Sequence, residues 1–226
     1  GRRPSGIFAD IIGAIAEEEG WNLEFVHGTW SQGLDRLERG DIDLMPDVAF
    51  TEARGILFSF HAEPALYSWF QLYSRRGSGI RAIPDLAGKR VAVLYRSIQQ
   101  EIFDRIVRDF GLSVVFVAFS DYGSAFQAVA DGKADAVITN RFFGAQHMYV
   151  YNLEDTAISF NPTRLFFAAP SAFDRTILAT IDRHLRQMKH DPGSVYFQSL
   201  KRWTSYDVTT VIPPWLKATA MLLALF

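Results

Sequence analysis

The chain has 226 residues, 49% of them hydrophobic and 21% charged, which is enough to bury a full core and fits one large or two small domains. A formal charge of -2 with no basic run supplies no field for nucleic acid. The absence of cysteine excludes disulfides, thiol nucleophiles and cysteine metal sites, while leaving the compartment open. Ile7, Ile11, Ile12 and Ile15 recur at helical spacing with Glu17, Glu18 and Glu19 off the stripe, predicting an amphipathic helix that stops at Gly20. Residues 22–26 alternate enough for a strand, Gly28, Thr29 and Trp30 form a loop, and Ser31 can cap a helix over 32–39 that ends at Gly40.

Residues 42–45 read as a short apolar strand. The segment after it, broken by Pro46, carries Thr51 and Arg54 beyond the strand's carboxyl end, where open α/β sheets bind ligands. Arg54 there is either an anion clamp or a surface arginine paired with Glu52, and spacing does not choose between them. Residues 57–60 and 65–73 are apolar, aromatic and extended. The small polar run from Arg75 to Gly79 marks a boundary between two lobes.

Beyond it, residues 84–89 turn into a strand over 90–94, and Ser97 stands as the N-cap of a helix carrying Ile98, Ile102, Phe103 and Ile106 and stopping near Gly111. A buried strand is expected at 114–117, a helix capped by Ser120 or Asp121 reaches Ala130, a strand follows at 136–139, and 141–151 is expected to be helical. Residues 37–45 and 129–137 share a helix end, a glycine, an aspartate three positions on and an apolar strand. That rhyme implies two similar α/β halves, each with parallel strands joined by helices. A strand at 165–168, a long helix over 174–189 and a short helix with Tyr196, Phe197, Leu200 and Trp203 complete the chain. Two connections then cross between the lobes, near 73–79 and 161–164, as a hinge requires.

The last residues say something about location. Pro213, Pro214, Trp215 and Lys217 lead into an apolar run from Ala218 to Phe226. It is shorter than the roughly 20 residues needed to cross a bilayer, and it is read as the start of a membrane helix rather than a terminal helix packed on the domain. The five histidines show no pairing at metal-ligand spacing, and no nucleophile elbow, Walker loop or dinucleotide fingerprint is present. Asp41, Asp43 and Asp47 lie along one strand and loop, where turn and capping roles are the default.

Taken together, residues 4–12, the 37–45 unit, Thr51-Glu52-Ala53-Arg54, Phe58-Ser59, residues 85–93, Ser97-Ile98-Gln99-Gln100 and residues 131–140 resemble bacterial extracellular solute-binding protein family 3, used as a membrane-tethered sensor domain. The resemblance implies an α/β fold of the two-lobe type II periplasmic binding kind (a Venus flytrap), with parallel-rich sheets flanked by helices. It divides the chain into lobe 1 at 1–75 and 164–207, lobe 2 at 80–160, and a juxtamembrane segment and membrane-helix start at 208–226. Arg54 then corresponds to the arginine that pairs with a ligand carboxylate, a bidentate and charge-assisted match. Asp47 and Ala49 correspond to the ligand-contacting loop before it, and Ser97, Ile98 and Gln99 to a helix start whose N–H groups favour an anion. Thr51 and Trp30 complete the first-lobe candidates, and Asn140 is the second-lobe one.

Three features depart from that pattern. Asn140 stands where the family holds an aspartate for the ligand's amino group, Arg96 stands where a glycine is usual before Ser97, and the family's first strand and cleft aromatic fall upstream of Gly1. The expectation is a non-enzymatic domain on the periplasmic or outer face of a bacterial inner membrane, anchored by its C-terminal helix. It would bind a small carboxylate or amino acid, without cofactor, metal or nucleic acid, and signal by cleft closure to a histidine kinase or diguanylate cyclase module. A homodimer of the full-length receptor is compatible with this. The alternatives are a soluble binding protein of an ABC transporter, and a catalytic relative such as a dehydratase or lytic transglycosylase-associated domain.

Overall fold

The computed structural model describes residues 4–172 and 175–204. Helix α1, Ile7–Glu19, buries Ile7, Ile11, Ile12 and Ile15 and closes at Gly20, whose φ of 69° is the left-handed turn that glycine adopts without strain. Residues 22–26, expected as a strand, belong to no helix or strand, with Phe25 44% and Val26 54% exposed. Alternation makes a segment extended, but a strand also needs a ladder partner, and among the described residues none is supplied. Helix α2, Trp30–Arg39, starts two positions before the helix that Ser31 was expected to cap. Thr29 is the cap because it exchanges bonds with Gln32 in both directions, at 3.3 and 2.9 Å, a capping box that Ser31 has no partner to build.

The first central strand also shifts. Residues 41–43 bend, and strand β1 is Met45–Ala49, running on through Pro46. Proline is tolerated because β1 lies at the end of the strand order, and its register with its neighbour slips between Met45 and Val48. Within that bulge Asp47 takes a φ of 61°. Residues expected as an arginine-bearing loop form a short helix, α3, Glu52–Leu57, followed by β2, Phe58–Phe60, and β3, Leu66–Arg75.

The remaining elements are β4, Arg90–Leu94, α4, Ile98–Asp109, β5, Val115–Phe119, α5, Tyr122–Ala130, β6, Ala136–Asn140, and α6, Arg141–His147. Then come β7, Leu153–Pro170, α7, Arg175–His190, and α8, Val195–Thr204. The helix expected over 141–151 therefore ends at His147 and continues as turns. The last strand, expected only at 165–168, is 18 residues long.

All the strands join one sheet in the order β1-β7-β3-β6-β4-β5, with β2 also on β7. Parallel pairing, expected in both halves, is confined to β4 with β5 and β6; β1, β2 and β3 all run antiparallel to β7. The first half takes its central strand from the far end of the chain, so no helix crossover joins β1 to its neighbour. β5 is the outermost strand beside β4, which leaves Val115 54% exposed where burial was expected. β3 and β7 form a long antiparallel ribbon, from Leu66 opposite Leu165 at one end to Arg75 opposite Leu153 at the other, with register shifts between Ser68 and Phe70 and between Gln71 and Tyr73.

Burial follows the layers. Around the first half, Ile11 and Ile15 of α1 pack with Phe167 of β7 and Ile181 and Leu185 of α7, all fully buried. In the second half β4 and β6 are covered on both faces: Val91, Val93 and Ile138 meet Phe103 of α4, while Ala92 and Val137 meet Phe126 of α5. α6 seats closely on β3, because a Cβ added at Gly144 would fall 2.1 Å from the Tyr73 ring. The segment 208–226, read as juxtamembrane and membrane-helix start, lies outside the described residues. No helix among the described residues is long and apolar enough to cross a membrane.

Candidate functional site

A cleft of about 390 Å³, its open mouth included, lies between the end of β1 and the helix starts of the second half. It is lined by Trp30, Asp47, Ala49, Arg54, Ser97, Ile98, Gln99 and Asn140, together with Phe70, Leu94, Tyr122 and Leu165. All the residues singled out from the sequence are thus brought to one place except Thr51, which acts behind the wall. Thr51 is the N-cap of α3, and its hydroxyl accepts the backbone N–H of Arg54 at 3.1 Å. The Thr-x-x-Arg spacing is therefore a helix cap that fixes the arginine's position.

Arg54 is half-buried and donates through Nη1 to the Ala49 carbonyl at 3.1 Å, with its guanidinium 5.7 Å from the centre of the Trp30 ring. Its ionic partner is not Glu52: no ion pair between them occurs among the described residues. Burial lowers the Arg54 pKa, Glu101 and Tyr122 oppose that shift and Arg96 adds to it, and the group stays cationic because an arginine starts so high. A guanidinium bonded, among the described residues, to one carbonyl and facing an aromatic ring has donors left that can fork onto a carboxylate at little reorganisation.

Opposite it, α4 starts at the N-cap Ser97, as the sequence predicts, but the Ser97 side chain makes no capping bond and its Oγ is buried without a partner. Gln99 Oε1 and Trp30 Nε1 are likewise buried and unpartnered, while Gln99 Nε2 donates to the Tyr122 hydroxyl. Buried polar atoms left unsatisfied are costly, and here three of them line one cleft. They offer a hydroxyl, an amide acceptor and an indole donor around the positive end of a 12-residue helix. Tyr122 had no signal in the sequence beyond starting a capped helix; burial raises its pKa, and it stays a neutral phenol. Phe70, Leu94 and Leu165 were missed because they are the cleft-facing members of otherwise ordinary apolar strands.

Asp47 and Asn140 meet across the cleft. Asn140 Nδ2 donates to Asp47 Oδ2 at 3.0 Å, while Asn140 Oδ1 caps α6 by accepting the Phe143 N–H at 2.9 Å. The position needs a donor on one side and an acceptor on the other, which an amide supplies. An aspartate at 140 would set two carboxylates against each other. Burial pushes the Asp47 carboxyl up to about 7, with the Asn140 bond pulling the other way. The turn role expected by default for this aspartate is thus incomplete, because the bulge of β1 aims it into the cleft.

The fold is that of the type II periplasmic binding proteins. Solved structures with the same architecture include a histidine kinase sensor domain with similarity to periplasmic binding proteins, 24% identical over 88% of this chain and 86% of that one, with a TM-score of 0.76. The arginine-, lysine-, histidine-binding protein ArtJ from Geobacillus stearothermophilus is 19% identical over 90% and 87%, with a TM-score of 0.76. An ancestral amino acid-binding protein that is a precursor of cyclohexadienyl dehydratase is 24% identical over 89% and 86%, with a TM-score of 0.77. The chain belongs to the NMT1/THI5-like family, whose model matches residues 45–190. The resemblance read from the sequence therefore holds for the fold, with this family's model as the one that matches. No curated protein sequence matches the chain.

Proposed function

We propose that this is an extracytoplasmic ligand-binding sensor domain, which takes a small carboxylate or amino-acid-like solute between two lobes and signals by the state of the cleft. The observation that carries it is the half-buried Arg54 guanidinium, without a carboxylate partner, facing the N-terminus of α4 and the unpartnered Ser97 hydroxyl in one cleft. Residues 1–75 with 164–207 form lobe 1 in this reading, residues 80–160 form lobe 2, and the β3–β7 ribbon is the hinge between them. The solute's carboxylate lies on Arg54, the backbone N–H groups at Ile98 and Gln99 with the Ser97 hydroxyl hold its second oxygen, and Asp47 with Asn140 reads whatever donor it carries. Segment 208–226 anchors the domain in the inner membrane, with a histidine kinase or diguanylate cyclase module beyond it.

The fold it shares with a histidine kinase sensor domain supports this assignment. The fold it shares with binding proteins such as ArtJ supports a second one, a soluble binding protein feeding an ABC transporter. The coding sequence past Phe226 discriminates them. The binding reading itself is tested by calorimetry of the domain with a panel of amino and organic acids, comparing wild type with Arg54→Ala. A solute bound equally well by both removes Arg54 from the site.

A further inference from the structure

Among the described residues, the positive-φ positions that are not glycine are Asp47, Arg96, Asn152 and Asn161. Asparagine and aspartate visit that region more readily than other residues, but Asp47 does so in the bulge of a strand and Arg96 has no such preference, so both positions are set by their surroundings. Both of these make contacts between the two halves of the chain. Asp47, with φ 61°, accepts the Asn140 amide, a contact spanning 93 positions of chain. Arg96, with φ 60° in the turn before α4, pairs its guanidinium with the Asp35 carboxylate on α2, 61 positions away.

The two pairs differ in setting. Asn140 is buried and uses both of its polar atoms, while Asp47 is half-buried, so their bond is better shielded than an exposed pair. Asp35 and Arg96 are half-exposed, and such a pair alone contributes little. It does fix the one arginine whose backbone would otherwise relax out of the left-handed region. Backbone strain clusters where the surrounding structure enforces it for a purpose, and both strained side chains here make the same kind of contact.

We propose that Asp47–Asn140 and Asp35–Arg96 are a two-point latch that holds the lobes together before any solute binds, so that the solute tightens a closed cleft instead of closing an open one. This rests on the reading of the cleft as a solute site and adds how that site is regulated. A preclosed cleft removes the fraction by which affinity is reduced when the competent form is scarce. The signalling state is then set by release of the latch as much as by occupancy. Asn140 carries that state into α6, whose Gln146 Nε2 donates to the Trp203 carbonyl on α8 at 2.9 Å.

The test is an inter-lobe distance measured without solute. The sequence has no cysteine, so spin labels go only where Glu38→Cys on α2 and Arg105→Cys on α4 place them. In the otherwise wild-type domain, pulsed electron paramagnetic resonance is expected to give one short distance. The variants Arg96→Gly with Asp35→Ala, and Asn140→Ala, should each lose part of that population to longer distances. A wild-type distribution that is already long, or one that the latch variants leave unchanged, overturns the proposal. Arg96→Gly frees the strained backbone and keeps the α6 cap, so it guards against a result caused by unfolding of Asn140→Ala. Because no solute enters the measurement, a panel without a ligand leaves the latch testable, and a failed latch leaves the Arg54 comparison standing. Where a solute is found, the Arg96→Gly and Asp35→Ala pair should weaken it by roughly two- to fivefold.

Discussion

Asp135 and Asp47 are the aspartates that each half of the molecule puts to work, and their surroundings drive them in opposite directions. Asp135 accepts the Arg90 backbone N–H at 2.8 Å and its Nε at 3.1 Å, with Nη2 bonded to the other oxygen at 3.0 Å, and these bonds hold its pKa below the ordinary carboxylate range. Asp47 has only the neutral Asn140 amide, and burial raises it to about 7. A carboxylate neutralised by its own arginine ties β4 to the turn before β6 and is scaffold. A carboxylate left with a neutral partner, in the same cleft as Arg54 but not paired with it, is free to respond to what enters.

Arg54→Ala should break the contrast most, because it removes the positive charge that makes the cleft a site. Affinity for a carboxylate solute is expected to fall by two to three orders of magnitude in calorimetry while the melting curve stays near wild type. Asp47→Asn sharpens the contrast. Its folded pKa lies above the unfolded value, so its contribution to stability is full below about pH 4 and is lost as pH rises to about 7. Urea titrations from pH 4 to 8 should show the wild type losing roughly 4 kcal/mol relative to the variant across that window. The groups facing Asp47 are Asn140, Tyr122 of α5 and Arg54 of α3, and none of them titrates there.

Asp135→Asn should do the reverse, costing about 1 kcal/mol at neutral pH, an amount modest because the Arg90 side chain is 43% exposed. Its deficit should close as pH falls through the depressed carboxylate pKa, since a lowered pKa contributes above the unfolded value and not below it. Thr51→Ala gives the smallest effect, about 1 kcal/mol or less from a lost cap, with a weaker solute affinity as Arg54 loses its fixed position. Thr51→Ser should restore both.

Much of this was legible in the chain. The isoleucine stripe of α1, the long helix α7, the cap at Asp121, one of the two candidates for α5, and the glycine stops at Gly20 and Gly40 stand as read, while Ser97 holds the N-cap position of α4 without a capping bond. The errors cluster at strands. Residues 22–26 were expected to pair and do not, 42–45 began three positions too early, and β7 was seen over 165–168 of its full Leu153–Pro170. Alternation reports that a segment is extended, and pairing is decided by what lies beside it. Arg54, Ser97 and Asn140, expected from the sequence, do line one cleft, while Phe70, Leu94, Leu165 and Tyr122 were missed, Tyr122 because its role comes only from facing Gln99.

The sequence by itself determined most of the helices, their glycine stops and the spacing from Thr51 to Arg54, because each of those depends on residues within a turn or two of one another, though α3 was read as a loop and Thr29 rather than Ser31 caps α2. The tertiary structure alone decided that β7 runs antiparallel through the middle of the first half, that Pro46 sits in an edge strand whose bulge turns Asp47 inward, and that Asn140 meets it from 93 positions away. Those are properties of register and of long-range burial, and no local pattern carries the identity of a partner that only folding brings near.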